Sequence, residues 1–248
     1  MMRKESLYGP AAILIIWYIL YWTRIINPLF LPLPHSVIKE FFSIIIKVDT
    51  WKDIGSSFWR VTVSFLIASL IGIPTGLLMG CHIKLYYSFE LIVDFFRSLP
   101  ALAIFPLLMF FFGIGDKVKI ATAVFSCSLI IIINSIYGVK NSKKTRQIVA
   151  LLMEASPREI FWKITLMDAL PQIAIGMRTS LSLAVIVVIA TEMFIGTDFG
   201  IGYRIFETKL KYSVLEMYAY ILIAGFLGYI LNKGFIFVEN KIVHWSGK

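Results

Sequence analysis

Residues 143–171, KKTRQIVALLMEASPREIFWKITLMDALP, form the one long polar stretch between two strongly apolar regions of the sequence. Charges of both signs alternate there with apolar residues at helical spacing. Ser156 can cap a helix, Pro157 suits the first helical position, and Glu159 can reach back to the Ser156 amide. The pattern predicts two short cytoplasmic helices that meet at Glu154-Ala155 and lie against another protein or the membrane domain.

The apolar regions on both sides are too long for the core of a soluble domain. The chain has 248 residues, 58% hydrophobic and 16% charged, with a mean hydropathy of +0.82. Segments 6–23, 61–83, 98–115 and 120–139 contain no Asp, Glu, Lys or Arg, and each is close to the ~20 residues that cross a bilayer. We therefore predict an all-α, polytopic membrane protein with a single domain over residues 1–248.

Six transmembrane helices are expected, with the core of the domain at about 57–240. The predicted spans cover about 9–26, 58–81, a helix from about 83 that is broken at Pro100 and Pro106, 118–137, 171–196 and 214–237. Residues of about 35–48 predict a short amphipathic helix on the outer surface, although an ordinary connector explains them nearly as well. Residues 197–213 are expected to form an outer loop, and residues 140–170 the cytoplasmic one.

Small residues predict close helix packing in the second span and hydrogen bonds in the fourth. Gly72, Gly76 and Gly80 stand four residues apart on one face, a spacing that lets helices approach closely in lipid. Ser126, Ser128 and Asn134 are expected to bond across helices.

Basic residues give the orientation. They are more numerous at the two ends and in the 140–170 loop than in the opposite loops, which predicts that the termini and this loop lie in the cytoplasm. The basic N-terminus was weighed as a cleaved signal peptide, but no small-residue cleavage site follows the long apolar run, so a retained first helix is favoured. The net charge is +9, and the basic residues lie between apolar runs. This distribution is typical of membrane-flanking loops and argues against nucleic acid as a partner.

Motifs for covalent or metal chemistry are missing from the sequence. Cys81 and Cys127 form no CxxC pair, and the three histidines are scattered, so no metal site is predicted. The chain has no GxxxxGK[ST] phosphate loop and is therefore not an ATPase. A membrane-embedded enzyme is disfavoured because the spans hold no paired carboxylates and no nucleophile with a base at suitable spacing.

The 143–171 stretch resembles the cytoplasmic loop of binding-protein-dependent ABC transporter permeases. Ala150 holds the second alanine of that motif, and Leu170-Pro171 closes it; Ile148 and Val149 replace its Glu and first Ala, Glu154 its Gly, and Met167 one Pro. Four further stretches resemble the nitrate/sulfonate/taurine/bicarbonate branch: LPLPHSVIKEF, RSLPALAIFPLLMFFFGIGDKVKI, IVVIATEMFIGTDFGIGYRI and ENKIVHW. A non-glycine residue in the left-handed conformation at 154 would cost roughly 1 kcal/mol. Either Glu154 bears that strain, or the turn is made differently.

The resemblance implies a permease subunit of an ATP-driven importer in the bacterial inner membrane. It implies a homodimer, two cytoplasmic ATPase subunits that carry the ATP and Mg, and an extracytoplasmic substrate-binding protein, with no cofactor on this chain. Its substrate would be a small oxyanion or sulfonate, or alternatively a thiamine-type precursor. A rival role is a membrane scaffold or energy-coupling component that binds other subunits without forming the pathway. The residues expected at the ATPase contact are Glu154, Ala155, Ser156, Pro157, Arg158, Glu159, Phe161 and Trp162.

Charged residues inside the spans are the candidates for the substrate pathway. Arg97, beside the break at Pro100, could help an anion across, but pairing with Asp94 or Glu90 across helices is favoured about two to one. Arg178 is expected to reach toward the membrane interface. Glu192 could be a gate or a structural partner, and the sequence does not separate the two roles.

Overall fold

A computed structural model describes residues 8–194 and 199–243, and all regular structure in these ranges is helical. The outer end of the fifth predicted span, the first two residues of the predicted outer loop and the end of the ENKIVHW stretch lie outside the described residues. The helices are α1 Tyr8–Trp22, α2 Pro34–Ile45, α3 Val48–Cys81, α4 Ile83–Ser98, α5 Ala101–Phe112, α6 Asp116–Lys140, α7 Lys144–Leu152, α8 Pro157–Ile160, a π-helical turn Phe161–Thr165, α9 Leu166–Phe194, α10 Ile201–Leu210 and α11 Val214–Ile242.

Four helical stretches are long and apolar enough to cross a membrane: α3, α6, residues 157–194 and α11. Helices α4 and α5 together make a fifth candidate, bent by 100° at Leu99-Pro100, so the break expected at Pro100 is confirmed. The break expected at Pro106 was wrong, because Pro106 lies inside α5. Helix α1 is apolar but has 15 described residues, or about 22 Å of helix. The described part of the chain therefore contains four to five candidate spans by length and composition.

The chain divides into two compact units. The first comprises the described residues up to Ser57 together with 192–227, and the second comprises 58–191 with 228–243. In the second unit the largest buried apolar cluster contains Val61 and Ala68 of α3, Cys127 and Ile131 of α6, and Val188 of α9. This core brings the faces of three candidate spans together, as a helical bundle requires.

The close approach predicted for the glycines of α3 is confirmed. A Cβ at Gly76 would lie 2.5 Å from both the Ile132 carbonyl oxygen and the Ser135 Cβ, and Gly72 and Gly80 face Ile131 and Val139 in the same way. The absence of side chains therefore lets α3 lie directly on α6. These glycines therefore pack helices.

Helix α3 begins at Val48, ten residues before the expected start of the second span. The expectation was wrong because WKDIGSS contains several polar residues that suggest a loop. In the structure Thr50, Asp53 and Ser57 are fully buried in the first unit and are hydrogen-bonded there. A helix tolerates buried polar side chains when each finds a partner. Thr50 bonds to the nearby Ile44 carbonyl, whereas the partners of Asp53 and Ser57 are distant in sequence.

The second helix of the cytoplasmic loop is also longer than predicted. From Pro157 the chain is helical to Phe194, so the segment is the beginning of the fifth span and not a separate short helix. Pro171 lies inside α9 and does not start the span. Proline removes one backbone donor, and neighbouring helices can satisfy the group that is freed in a membrane helix.

The outer loop predicted at 197–213 contains a helix. Helix α10 runs from Ile201 to Leu210, preceded by Gly200 at φ +146°. Three side chains bind its first amides: Asp53 accepts from Gly200, Ser57 from Ile201 and Glu192 from Gly202, all at 2.9 Å. Helix ends need such acceptors; here they come from distant α3 and α9, which sequence reading did not reveal.

Candidate coupling site and intramembrane charges

Asp168 joins α7 to the start of α9. Its carboxylate accepts hydrogen bonds from the Ser142 hydroxyl at 3.0 Å and the Lys143 amide at 3.1 Å, and it pairs with Arg146. The negative charge also lies at the N-terminal end of α7, where the helix dipole favours it. Hydrogen bonds to charged groups are the strong ones, so these contacts tie α7 to the start of α9.

Two further contacts hold this junction. The Gln147 side-chain amide donates to Ser142 at 3.2 Å and to Thr165 at 3.4 Å. A Cβ at Gly138 would lie 2.9 Å from the Ala169 carbonyl oxygen, so the end of α6 and the start of α9 are in backbone contact. The end of α6, α7 and the start of α9 therefore meet at one point.

Glu154 adopts the left-handed conformation that the resemblance assigns to glycine. Its φ is +59°, so the first of the two alternatives is the one observed. The Ala155 amide donates to the Ala150 carbonyl and the Glu154 amide to the Leu151 carbonyl, both at 3.0 Å. This is the Schellman end of a helix, in which glycine is the usual residue at the left-handed position.

The capping box at the start of α8 is confirmed. The Glu159 amide donates to the Ser156 hydroxyl, and the Glu159 carboxylate accepts from the Ser156 amide at 3.1 Å. Glu159 also pairs with Lys163 at 3.1 Å. Pro157 occupies the first helical position, and Arg158 is exposed next to it. Ala155 is half-buried in the turn.

Exposed apolar residues lie on α7 and at its end. Ile148, Val149, Leu151, Leu152 and Met153 are all at least half exposed, and Leu152 reaches 80%. We call these five residues the α7 surface. A contiguous apolar surface on a polar loop is typical of a protein-binding site, and this one directly precedes the Glu154 turn.

Phe161 and Trp162 lie elsewhere. Their rings pack edge to face, with centroids 5.3 Å apart, in the π-helical turn. They line a cleft together with Leu77 and Leu78 of α3. The structure thus places these two expected contact residues beside a membrane span and apart from the α7 surface in sequence.

Arg97 pairs with Asp94 at 3.1 Å within α4, so a pairing with Asp94 is observed, although along one helix and not across two. Glu90 instead accepts a hydrogen bond from the Tyr86 hydroxyl, and Lys140 lies 3.0 Å above the Tyr86 ring. Asp94, Arg97, Glu90 and Tyr86 surround a cavity of about 40 Å³. Pro100 precedes α5 as its cap residue.

Arg178 pairs with the buried Glu239 of α11 at 3.8 Å. Further polar bonds join helices of the second unit: Asn232 donates to Ser182 at 2.8 Å, and Gln172 donates to Asn134 at 2.9 Å. Asn134 therefore bonds across helices as predicted. The prediction for Ser126 and Ser128 was wrong, because each hydroxyl donates to a carbonyl of its own helix α6, the usual local alternative for serine.

Glu192 is 1% exposed, and both of its carboxylate oxygens accept from the Ser57 hydroxyl, at 2.9 and 2.8 Å. Asp53 of the same unit binds Arg204 at 2.8 Å, and Arg204 also binds Glu207 at 2.8 Å. Hydrogen bonding from Lys211, together with Arg204, lowers the pKa of Glu207. The geometry gives Glu192 a structural partner and anchors α10 to α3.

Sequence reasoning missed Asp168, although the residue stood in the quoted stretch. An acidic residue 25 positions after Lys143 gives no local signal. It also missed the α7 surface, for which the run of apolar residues 148–153 was a usable signal. Among the described residues no group of three or more His, Cys, Asp and Glu side chains could hold a metal ion.

These features define, over the described residues, a helical protein with four to five candidate membrane spans. Residues 72–240 match the family described as "Binding-protein-dependent transport system inner membrane component". The match covers well over half of the chain, which belongs to this family and is a permease subunit of an ABC importer of the nitrate/sulfonate/taurine branch.

Individual relatives are similar in sequence to this chain over nearly its full length. The taurine transport system permease protein of Escherichia coli is 26% identical over 96% of this chain and 88% of its own length. A putative ABC transporter permease protein of Methanocaldococcus jannaschii is 31% identical over 95% and 90%. A putative aliphatic sulfonates transport permease protein of Bacillus subtilis is 25% identical over 97% and 87%.

Solved structures support the same fold. A chain of the MetNI methionine ABC transporter, described in inward facing conformations, superimposes with a TM-score of 0.67 and 20% sequence identity. The match covers 80% of this chain and 96% of that one. At this identity the likeness concerns the fold alone.

Proposed function

We propose that this chain forms the membrane pathway for a small oxyanion or sulfonate, delivered by an extracytoplasmic binding protein. The relatives named above for taurine and aliphatic sulfonates, and a nitrate import permease of Leptolyngbya laminosa that is 28% identical over 77% of this chain and 68% of its own length, support this substrate class. All of these substrates carry a compact anionic oxygen group. Selection among them would depend mostly on the binding protein.

The α7 surface and the Glu154 turn form the contact with a cytoplasmic ATPase subunit in this proposal. The observation that carries it is the combination of exposed Leu151, Leu152 and Met153 with the Asp168 junction beneath them. An ATPase that binds this surface would move α7, and the Asp168 bonds would transmit the movement to α9. ATP and Mg would be held by the ATPase, and this chain would supply no catalytic group.

Around this contact, residues 155–159 would hold the shape of the turn. The capping box of Ser156 and Glu159 fixes the start of α8, and exposed Arg158 offers a charge to the partner. Phe161 and Trp162 would transmit movement to α3 and would not enter the ATPase groove, since they line a cleft against Leu77 and Leu78.

Six spans, with both termini and the coupling segment in the cytoplasm of an inner-membrane protein, complete the proposed topology. The excess of basic residues on that side supports the orientation, and the apolar α1 supports the additional first span. The functional form would be a homodimer, because one chain supplies one bundle and the proposed pathway lies between two.

Arg97 and Pro100 remain the proposed pathway residues, at the bend between α4 and α5. The Asp94–Arg97 pair is about half exposed on both sides, which leaves the guanidinium accessible to an anion. For Arg178 and Glu192 the bonds to Glu239 and Ser57 support structural roles.

Reconstitution tests this function. Proteoliposomes that contain this chain and its ATPase should show ATP hydrolysis stimulated by the substrate-loaded binding protein, together with uptake of labelled sulfonate. Stimulated hydrolysis without uptake of any of taurine, nitrate or an alkyl sulfonate would contradict the proposed substrate class.

The ATPase contact has its own test. Each large apolar side chain that is fully buried contributes about 1.5–3 kcal/mol, so the double variant Leu152→Ala/Met153→Ala should weaken ATPase binding by at least tenfold. Leu210→Ala, an exposed leucine at the end of α10, is the matched control. Wild-type affinity in the double variant would contradict an ATPase contact at the α7 surface.

A further inference from the structure

Helix α4 lies along α6, and its two ends meet different parts of that helix. Near the start of α4, the Tyr86 ring packs beneath Lys140, the last residue of α6, whose amino group lies 3.0 Å from the ring centroid. Near the end of α4, the Phe96 ring packs edge to face on Phe125 of α6, with centroids 5.7 Å apart. The two helices are therefore antiparallel, and α4 reaches from the end of α6 to the bend at Pro100.

The contact between Tyr86 and Lys140 is part of a longer polar connection. The Tyr86 hydroxyl donates to the Glu90 carboxylate one turn further along α4, so one tyrosine joins a carboxylate and an ammonium group. An ammonium above an aromatic face is attracted by the negative face of the ring, and a hydrogen bond to a carboxylate is stronger than one between neutral groups. We call Lys140, Tyr86 and Glu90 the α4 latch.

The rest of the interface between α4 and α6 is loosely packed. The structure describes all of residues 83–98, and none of them is buried. Val93 packs against the buried Ile132 and Ile136, but a cavity of about 40 Å³ lies between α4 and α6 at Ile133 and Ile136. A helix with few buried apolar contacts moves at low cost, and a cavity beside it removes part of the packing that would resist a shift. The latch therefore has a large share in fixing where α4 lies.

The latch lies directly beside the junction that Asp168 makes. Ser142 donates to Asp168, and Lys140 precedes Ser142 by two positions at the end of α6. From Tyr86 to Arg97 the helix spans about 16 Å, at 1.5 Å per residue, and Arg97 lies in its last turn, next to the bend. A rigid helix can carry a displacement over this distance.

We propose that the α4 latch is a second connection, parallel to the Asp168 junction, through which the loop of residues 140–170 positions the bend between α4 and α5. The inference rests on the ATPase contact proposed above. Lys140, Tyr86 and Glu90 are positioning residues, because they act through the placement of the bend at Pro100. A movement of α7 reaches the end of α6 through the Asp168 junction, and the latch passes it to α4.

Spin labels on α4 and α9 test the two connections separately. The labelled residues are Ser98→Cys at the end of α4 or Thr179→Cys on α9, in a Cys81→Ser/Cys127→Ser background. Both native hydroxyls are exposed and donate within their own helices, so the two sites are matched. The complex with the ATPase is compared without nucleotide and with ATP and vanadate, and both labels should change mobility in the parent.

Tyr86→Leu removes both contacts of the latch. The nucleotide-dependent ratio of mobile to immobile label at Ser98→Cys should then fall at least about tenfold, because a cation–π contact and a hydrogen bond to a carboxylate are lost together. The Thr179→Cys label should respond as in the parent, since the Asp168 junction is intact. Tyr86→Phe keeps the ring beneath Lys140 and loses only the bond to Glu90, so its effect should be smaller.

Substitutions of Lys140 test the charge, and this exposed side chain can be changed without disturbing the core. Lys140→Gln should reduce the Ser98→Cys response about threefold, the effect of one exposed cation–π contact, and Lys140→Arg should restore it. Lys233→Gln is the matched control, because it removes an amino group 5.6 Å from the Tyr229 ring within α11. It should change neither label.

The two labels distinguish failure of the latch from failure of the ATPase contact. A parent protein in which the α9 label responds to nucleotide and the α4 label does not would overturn the inference alone. A parent in which neither label responds would contradict the ATPase contact, and the inference with it. If Tyr86→Leu and Lys140→Gln leave both responses at the parent level, the latch only packs α4 on α6.

Discussion

Replacing Glu154 with glycine should stabilise the end of α7. The residue is exposed, so its substitution costs no buried contact. At φ +59° a residue with a Cβ costs about 1–2 kcal/mol relative to glycine. About 0.4–1 kcal/mol of this gain is offset, because glycine has more conformational entropy in the unfolded chain. Removing a carboxylate from the C-terminal end of a helix, where the helix dipole is negative, adds roughly 0.3–1 kcal/mol of stability. The net gain expected for Glu154→Gly is about 1 kcal/mol.

Hydrogen exchange measured by mass spectrometry is the suitable assay, because it reports local opening of α7 in the intact membrane protein. The amides of Glu154 and Ala155 close the Schellman end, and their exchange should slow about fivefold for a gain of 1 kcal/mol, since 1.4 kcal/mol corresponds to tenfold. Peptides from α6 serve as the internal reference.

Two matched variants separate the electrostatic contribution to the stability of this turn from the backbone contribution. Glu154→Gln removes the charge and keeps the Cβ, so it should recover only the electrostatic part. Glu154→Asn removes the charge with a residue that tolerates the left-handed region better, and should fall between Gln and Gly. The reasoning about the backbone is refuted if glycine and glutamine give the same exchange rates at Glu154 and Ala155.

Three other changes test the junction, the helix packing and α10. Asp168→Asn should raise hydrogen exchange throughout α7 and lower binding-protein-stimulated ATP hydrolysis, since a hydrogen bond to a charged group contributes about 1.5–3 kcal/mol; unchanged exchange would show that the junction does not hold α7. Gly76→Ala should lower the free energy of unfolding of the purified protein by about 1–3 kcal/mol, because the new Cβ would lie 2.5 Å from the Ile132 carbonyl oxygen. Gly55→Ala is the control: its Cβ would have nothing within 4 Å, so this variant should be neutral or slightly stabilised. Glu207 has a lowered pKa, so the stability that it gives α10 is complete above its unfolded pKa of about 4.3 and is lost as the pH falls through the lower folded value. Protection of the α10 amides, corrected for the intrinsic exchange rate at each pH, should fall there in the parent protein and fall less in Glu207→Gln.

The coupling segment illustrates how far sequence reasoning reaches. The capping box at Ser156 and the odd residue at Glu154 were identified correctly, because capping and left-handed turns depend on residues three to five positions apart. The partners of the expected contact residues are not local in this way. Phe161 and Trp162 are apolar and helical in the sequence, but which protein or lipid they face depends on where α3 passes.

The sequence by itself determined that the protein is helical, lies in a membrane, breaks one span at Leu99-Pro100 and packs α3 through its glycines. Each of these follows from run length, proline chemistry or side-chain size, which are local properties. The tertiary structure alone decided that Asp168 holds α7, and that Asp53, Ser57 and Glu192 bind the first amides of α10. Those partners are separated by 10 to 147 residues in the sequence. Which distant donor or acceptor lies within about 3 Å of a buried polar side chain depends on how the chain folds.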